Sequence, residues 1–337
     1  MDEVVTMDKP VPVETKKPTL TYDIFFAPHA TAEHVSGLKD HFQQADIFIP
    51  EMVEWKKEAL DFLKDASEGK MELAEAMKRV NRDNPYHGAG EEILRLIHGS
   101  HKPVTFIDLP EGHPLIKDVV GNRSKFYYDM ESGFSGNLNR YRENIGEEAE
   151  LEDKRELYML EQLPIKIEDI IESNPELRGK STIRVLIQLG AAHGSIYHRL
   201  KAQGAIAERT YPTSRYTVGD FRNEAIKKAK HGKSLTDELV ARVMLQKEFD
   251  DVYTNPSLYG EDYSLLTRDP VKMLYFKRYA LSQFSLAEIE EMFTNNGGDS
   301  VDFFLAMEQK LRSKGIHFPK NERELDEIVK KYNFNPL

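Results

Sequence analysis

The sequence predicts an α/β protein: a mainly parallel sheet flanked by helices, followed by an all-helical C-terminal module. Three observations predict this class. Short runs of β-branched and aromatic residues alternate with segments whose apolar residues recur at helical spacing. The connections between these runs are too long for hairpins, which favours parallel pairing. Beyond Pro212 no strand pattern is visible, and the apolar residues recur at helical spacing only.

The composition limits the chemistry that this chain can perform. Its 337 residues include 46 Lys and Arg against 57 Asp and Glu, a formal net charge of −11, and no cysteine. The absence of cysteine excludes disulfides, thiolate metal sites and Cys nucleophiles. Catalysis must therefore use His, carboxylates, hydroxyls, Lys or a metal held by nitrogen and oxygen ligands. The acidic charge argues against general binding to the nucleic-acid backbone.

The sequence gives no indication of a membrane partner. Residues 1–19 contain acidic residues and prolines, and we expect a flexible arm rather than a secretory signal. The longest apolar stretch, Ile183 to Ala192, is interrupted by Gln188 and is about half the length that spans a bilayer. We therefore expect a soluble, cytoplasmic protein without nucleic-acid or membrane partners.

The first part of the chain predicts a β-α-β unit. Residues 20–27 form its first strand, a helix with apolar residues at helical spacing follows, and residues 46–50 form its second strand. Residues 52–98 are predicted to be helical throughout. The apolar run 103–109 predicts a further strand of the same sheet.

The middle of the chain is harder to interpret. Residues 111–150 mix aromatic residues with glycines, and we predict a lid or loop over a site. A charged helix is expected from Glu147 to Leu163, ended by Pro164. Residues 181–189 form a nearly continuous apolar run, which is typical of a central strand covered on both faces. A helix and a strand at 205–210 complete a second β-α-β unit.

These elements predict three regions along the chain. Residues 1–19 form the flexible arm, residues 20–211 form the α/β core that carries the site, and residues 212–337 form the helical module. The module has aromatic residues on its apolar stripes and needs burial. We expect it to pack on the core as a cap that borders the site, although an independent bundle is the alternative.

Chemically useful residues recur where the predicted strands end. In an open parallel sheet, ligands bind beyond the carboxyl ends of the strands. The residues at or near those ends are His29, Glu51, Asp108 and His193. Two imidazoles with one or two carboxylates are a common set of metal ligands, and they equally suit a general base with orienting acids. This coincidence predicts a site at that edge of the sheet.

Each of these residues also has a structural explanation. Either His can serve only as a hydrogen-bonding group at a helix end, Glu51 can interact with a helix dipole, and Asp108 can shape a turn. The two His are expected to lie off the apolar faces, so that their removal leaves stability nearly unchanged. The functional interpretation depends on the four residues lying together.

Four segments resemble the ordered signatures of a known superfamily. They are Phe26-Ala-Pro-His29, Ala45-Asp-Ile-Phe-Ile-Pro-Glu51, Arg155-Glu-Leu-Tyr-Met159 and Val185-Leu-Ile-Gln-Leu-Gly-Ala-Ala-His193. In order and placement they resemble the TraB/Tiki and erythromycin-esterase-like superfamily, which includes haem-binding ChaN-like proteins. The resemblance covers roughly residues 20–211, with Phe26 standing where the superfamily has its first glycine.

This resemblance implies a hydrolase, peptidase-like or esterase-like, that acts on a small-molecule or peptide substrate. The residues implied to line its site are His29, Glu51, Arg155 and His193. In this hypothesis one His is the general base, Glu51 orients it or binds metal, and Arg155 stabilises an anionic carbonyl oxygen.

The resemblance leaves open whether a metal takes part, because the superfamily includes both metal-dependent peptidases and metal-free ester hydrolases. In the metal-dependent case the implied cofactor is a divalent metal, Mn, Zn or Co, with His29, Glu51 and His193 as its ligands. The alternative is a non-catalytic protein of the same fold that binds haem, a metal or a small ligand. A third possibility is that the sites have decayed and the helical module mediates assembly.

Overall fold

The computed structural model describes residues 17–26, 32–83, 87–211, 220–253, 270–296, 300–319 and 321–331. It contains a four-stranded, all-parallel sheet flanked by helices, which confirms the predicted α/β class. The strands are β1 (Thr19–Phe26), β2 (Ile47–Pro50), β3 (Thr182–Leu189) and β4 (Ile206–Thr210). Their order across the sheet is β2-β3-β1-β4.

The register brings the ends of three strands to one edge of the sheet. Phe26, the last residue of β1, pairs with Leu189, the last residue of β3. Pro50, the last residue of β2, pairs with Gln188. The central strand β3 is the most apolar because helices cover both of its faces. The connections that follow β1, β2 and β3 therefore begin next to one another, at the carboxyl edge of the sheet.

Helices form the rest of the described structure. They are α1 (Ala32–Gln44), α2 (Lys57–Ser67), α3 (Leu73–Asp83), α4 (His87–Ile97), α5 (Pro114–Arg123), α6 (Gly133–Ser173), α7 (Pro175–Arg178), α8 (Gly194–Ala202), α9 (Phe221–Lys230), α10 (Asp237–Tyr253), α11 (Pro270–Ser282), α12 (Leu286–Asn296), α13 (Ser300–Ser313) and α14 (Glu322–Lys331). A short 3₁₀ turn, Ala191–His193, joins β3 to α8. Within the described ranges, no helix combines the length and apolar composition that crossing a bilayer requires.

Two layers of helices cover the sheet. Helices α1 to α4 pack on one face, where Phe25, Phe48 and Leu186 are buried. The second half of α6 packs on the other face together with α7 and α8. Alternate residues of each strand point to opposite faces, and this alternation produces the two apolar clusters.

The prediction of a strand at 103–109 is wrong. This segment meets β2 only at an isolated bridge between Phe48 and Val104. The Phe48 amide donates to the Pro103 carbonyl at 3.0 Å, and the Thr105 amide donates to the Phe48 carbonyl at 3.2 Å. Pro103 offers no amide proton, and Pro50 offers none on the facing strand, so the ladder does not extend. The segment is buried and extended without becoming a regular strand.

Two predictions about the middle of the chain are also wrong. Residues 111–150 contain α5 and the first half of α6 rather than a lid or loop, and α6 continues through Pro164 to Ser173. Pro164 is exposed, whereas Leu163 and Ile167 beside it are buried against the sheet. Burial of the surrounding apolar residues outweighs the hydrogen bond that the proline removes.

The 41-residue helix α6 takes part in two hydrophobic clusters. Its second half contacts the sheet, whereas Phe134, Leu138 and Tyr141 in its first half are buried among the helices that follow residue 220. The C-terminal helices therefore share α6 with the sheet.

Candidate functional site

The carboxyl edge of the sheet carries a cluster of buried charged side chains. Glu51 directly follows β2, and His193 closes the 3₁₀ turn that follows β3. Asp108 lies in the irregular segment beside β2, and Arg155 projects from α6. The structure thus brings together Glu51, Asp108 and His193, which were predicted at the strand ends, and Arg155, which the resemblance implied.

Arg155 joins two carboxylates. Its Nε donates to Asp108 Oδ1 at 2.9 Å, and its Nη2 donates both to Asp108 Oδ2 and to Glu51 Oε1, the latter at 3.0 Å. Asp108 is 1% exposed, and its Oδ1 also accepts the Leu109 amide at 2.8 Å. The planar fork of the guanidinium suits this two-point contact. Arg155 therefore links the end of β2 to the segment that follows α4. Burial alone would lower the pKa of its guanidinium, but the neighbouring carboxylates outweigh burial and raise that pKa.

Glu51 receives hydrogen bonds from three donors. Besides Arg155, His193 Nε2 lies 3.1 Å from Glu51 Oε1, and the Gly190 amide donates to Glu51 Oε2. The Gly190 bond attaches this carboxylate to the end of β3, so both of its oxygens are held in place. Glu51 is thus a carboxylate with a fixed orientation at the edge of the sheet.

His193 lies between two carboxylates. Its Nε2 faces Glu51, and its Nδ1 lies 3.2 Å from Glu156 Oε1. Burial alone would lower the pKa of this imidazole, but the two carboxylates outweigh it and raise the pKa to about 10. Each ring nitrogen faces a carboxylate oxygen, and this arrangement favours the doubly protonated ring, which donates from both nitrogens. The side chain is 3% exposed, and it is buried among charged groups rather than on an apolar face of the core.

Glu156 is fully buried and contacts three groups. It accepts from His193 through Oε1, whereas Ser195 Oγ and Lys230 Nζ contact Oε2, Lys230 at 2.6 Å. Burial alone would raise the pKa of this carboxyl, but the imidazolium and the ammonium outweigh it and lower the pKa to about 2. Lys230 is the last residue of α9, so the helical module reaches the site.

We call these six side chains the buried charge cluster: Glu51, Asp108, Arg155, Glu156, His193 and Lys230. It contains three carboxylates and three cations, which balance one another. Glu152 is a fourth carboxylate at the margin of these six side chains, with its Oε2 3.4 Å from Arg155 Nη1 and its side chain 12% exposed, so that water contributes to its solvation. Such balance is required, because an unpaired buried charge is strongly unfavourable.

Part of this site was not predicted. Glu156, Ser195 and Lys230 were missed, although Glu156 stands directly after Arg155 in a segment that the sequence had singled out. His29, a predicted site residue, lies outside the described residues.

The described part of the cluster does not fit a metal. No group of three or more His, Asp and Glu side chains with suitable geometry occurs among the described residues. In this arrangement both nitrogens of His193 face carboxylate oxygens, so neither is directed at a position that a metal would share with those carboxylates. We therefore derive no step through a metal ion.

The fold and the cluster define an α/β protein with a balanced charge cluster at the carboxyl edge of a parallel sheet. Comparisons with protein-family models, with curated proteins and with solved structures found no match to this chain. The functional assignment therefore rests on the residues and their geometry.

Proposed function

We propose that this protein is a hydrolase of the peptidase-like or esterase-like type, with its active site at the carboxyl edge of the sheet. The observation that carries the proposal is the environment of Glu51, a carboxylate fixed by Arg155, His193 and the Gly190 amide where the strands end. The order of motifs that resembles the TraB/Tiki and erythromycin-esterase-like superfamily supports the same assignment. Strongly shifted pKa values at His193 and Glu156 are typical of functional sites.

In this proposal His29 is the general base. The chain leaves β1 at Phe26, which pairs with Leu189 at the edge where Glu51 and His193 are found. His29 follows three residues later. A neutral imidazole can take a proton from the water that attacks the carbonyl carbon, and it can return this proton to the leaving group as the C–O or C–N bond breaks. An oriented carboxylate stabilises the imidazolium that forms between these two transfers. Glu51 supplies that carboxylate.

The other cluster residues hold Glu51 rather than the substrate. Both ring nitrogens of His193 face carboxylates, so we assign the role of base to His29 and not to His193, whose Nε2 is directed at Glu51. Arg155 was expected to stabilise an anionic carbonyl oxygen, but its guanidinium contacts Asp108 and Glu51. We therefore assign Arg155 and His193 the role of fixing the orientation and charge of Glu51.

The proposed substrate is a small molecule or peptide with an ester or amide bond, and the proposed location is the cytoplasm, as the sequence predicts. Neither a divalent metal nor haem takes part in the proposed steps. A panel of chromogenic esters, lactones and peptide amides tests the proposal, assayed with the wild-type protein, with His29→Asn and with the exposed control His198→Asn.

We expect at least one member of the panel to be hydrolysed by the wild type and by His198→Asn, and hydrolysis to be lost in His29→Asn. Adding a chelator should leave the rate unchanged. If the wild type hydrolyses no member of the panel faster than His29→Asn does, the proposal is wrong.

A non-catalytic ligand-binding protein of the same fold is the second candidate. The observation in its favour is that the six charges of the cluster balance one another without a substrate. Elemental analysis and a visible spectrum of protein purified without a metal-affinity step distinguish the two candidates. Stoichiometric metal or a haem band, without turnover of any panel substrate, would favour the binding protein.

A further inference from the structure

We infer that Lys230 is a positioning residue of this site, which acts through Glu156 to hold the His193 ring in place. The effect of Lys230 on catalysis rests on the proposed function. The contacts among Lys230, Glu156 and His193 are independent of that proposal. The inference makes α9, a helix of the C-terminal module, part of the site.

The contacts form a chain of three residues. Lys230 Nζ lies 2.6 Å from Glu156 Oε2 and 3.5 Å from Ser195 Oγ, and its side chain is 7% exposed. The other oxygen of the same carboxylate faces His193 Nδ1 at 3.2 Å. A carboxylate at Nδ1 fixes the orientation of an imidazole, and here that orientation directs Nε2 at Glu51.

Charge balance explains why Lys230 is needed. Without it, the carboxylates of Glu51, Asp108 and Glu156 face only two cations in a buried site. Glu156 has no exposed surface through which water could compensate the excess charge. We expect it to take up a proton or to turn away, and in either case His193 Nδ1 loses its ionised acceptor.

The geometry distinguishes Lys230 from an ordinary lysine at a helix end. Such lysines usually complement the helix dipole while remaining exposed. Lys228, two residues earlier on the same helix, has a side chain that is 39% exposed and pairs with Glu224 within α9 at 3.0 Å. Lys230 instead contacts residues of α6 and α8. Lys228 is therefore a matched control for the loss of one lysine charge from α9.

The test is to observe the ring N–H groups of His193 by ¹H–¹⁵N NMR in the full-length protein at neutral pH. Signals are assigned by their absence in His193→Asn. In the wild type we expect two slowly exchanging ring signals, because both protons are buried and hydrogen-bonded. In Lys230→Met the Nδ1–H signal should shift or disappear, whereas Lys228→Met should keep both signals unchanged.

Activity provides a second measurement. Displacement of a positioned group by about 1 Å reduces turnover by about 10²-fold, and we expect a loss of this order in Lys230→Met and none in Lys228→Met. If Lys230→Met keeps both ring signals and wild-type turnover, the inference is wrong. If the signals respond as expected but the wild type hydrolyses nothing, the proposed function fails and the positioning of His193 stands.

A double variant covers the case in which Lys230→Met does not fold. Lys230→Met combined with Glu156→Gln leaves no unpaired charge at this position, and circular dichroism should show the wild-type fold. The neutral amide of Gln is a weaker acceptor than a carboxylate, so we expect a shifted Nδ1–H signal. An unshifted signal in the folded double variant would overturn the inference.

Discussion

At the residue scale, the main finding is that His193 is buried between two carboxylates, which raise the pKa of its imidazole. Burial normally favours the neutral ring. Glu51 and Glu156 reverse this preference because each accepts one of the two ring protons. His193 follows β3, and its two contacts connect Glu51 at the end of β2 to Glu156 on α6. The sequence left open which of the two His is the base, and the contacts of His193 favour a linking role for this one.

We predict that His193→Asn destabilises the protein. The substitution leaves the carboxylates of Glu51 and Glu156 without their shared cation, and breaking a buried ion pair typically costs about 3–5 kcal/mol. Urea denaturation measures the free energy of unfolding. As a control, His198→Asn on the exposed side of α8 should change it by less than about 0.5 kcal/mol. Equal effects of the two substitutions would contradict this account of His193.

The pKa values predict how stability depends on pH. The pKa of His193 rises from 6.5 to about 10 on folding, so its stabilising contribution is complete below pH 6.5 and is lost as the pH rises through 10. The pKa of Glu156 falls from 4.5 to about 2, so its contribution is complete above pH 4.5 and is lost as the pH falls through 2.

Urea denaturation of the wild type and His193→Asn at several pH values between 6.5 and 10 checks the alkaline limb. The wild type should lose stability over this range, and the variant should lose much less of it. Parallel pH dependences in the two proteins would show that His193 is not held as an imidazolium.

The sequence predicted the site residues that end strands and missed those that approach from other elements. Glu51 and His193 could be found because the carboxyl ends of parallel strands meet at one edge. Lys230 could not be found in this way, because its position depends on how α9 packs on α6. Its sequence context, a basic helix end, is equally typical of an exposed lysine.

At the element scale, α6 determines how the two parts of the chain are joined. Its first half is buried among the C-terminal helices, its second half contacts the sheet, and Arg155 and Glu156 lie between the two clusters. Pro164 lies inside this helix, although the sequence predicted that the helix would end at this proline. Tertiary packing on both sides of the proline outweighs the local signal.

We predict that Pro164→Ala stabilises the protein by roughly 1–3 kcal/mol, because alanine restores a helical amide proton and removes the clash of the proline ring. The measurement is the free energy of unfolding in urea. Glu161→Ala, also at an exposed position of α6, is the control and should have little effect. A less stable Pro164→Ala variant would indicate that the packing of α6 requires the local geometry of the proline.

The irregular segment 103–109 shows why local patterns mislead about strands. Its apolar run is buried as a strand would be, but Pro103 and the facing Pro50 have no amide protons with which to extend a ladder. The run 182–189 has no such interruption and forms the central strand. Hydrophobic patterning predicted that both segments are buried. Only the number of available amide protons explains why 182–189 forms a strand and 103–109 does not.

At the scale of the whole molecule, the C-terminal helices and the sheet depend on each other through α6 and Lys230. Phe134, Leu138, Tyr141 and Ile145 of α6 are buried mainly among helices that follow residue 220. These four residues belong to the part of the chain that the sequence assigned to the α/β core. A boundary drawn at residue 211 therefore separates apolar surfaces that are in contact.

We predict that a chain ending at residue 211 binds a hydrophobic dye, aggregates and lacks activity, because the apolar surface of α6 becomes exposed and Lys230 is absent. Dye fluorescence and light scattering at matched concentration measure the exposed surface, with the full-length chain as the control. A soluble, monomeric and active shortened chain would show that the C-terminal helices form a separate unit.

The central claim is that the fixed carboxylate of Glu51 supports hydrolysis at the edge of the sheet. Its most direct test is the turnover of Glu51→Gln on a substrate that the wild type hydrolyses, with Glu54→Gln on the same connection as the exposed control. The substitution keeps the shape of Glu51 and removes its charge. We predict that turnover falls by about 10²-fold or more in folded Glu51→Gln and stays unchanged in Glu54→Gln. Wild-type turnover by Glu51→Gln would contradict the account.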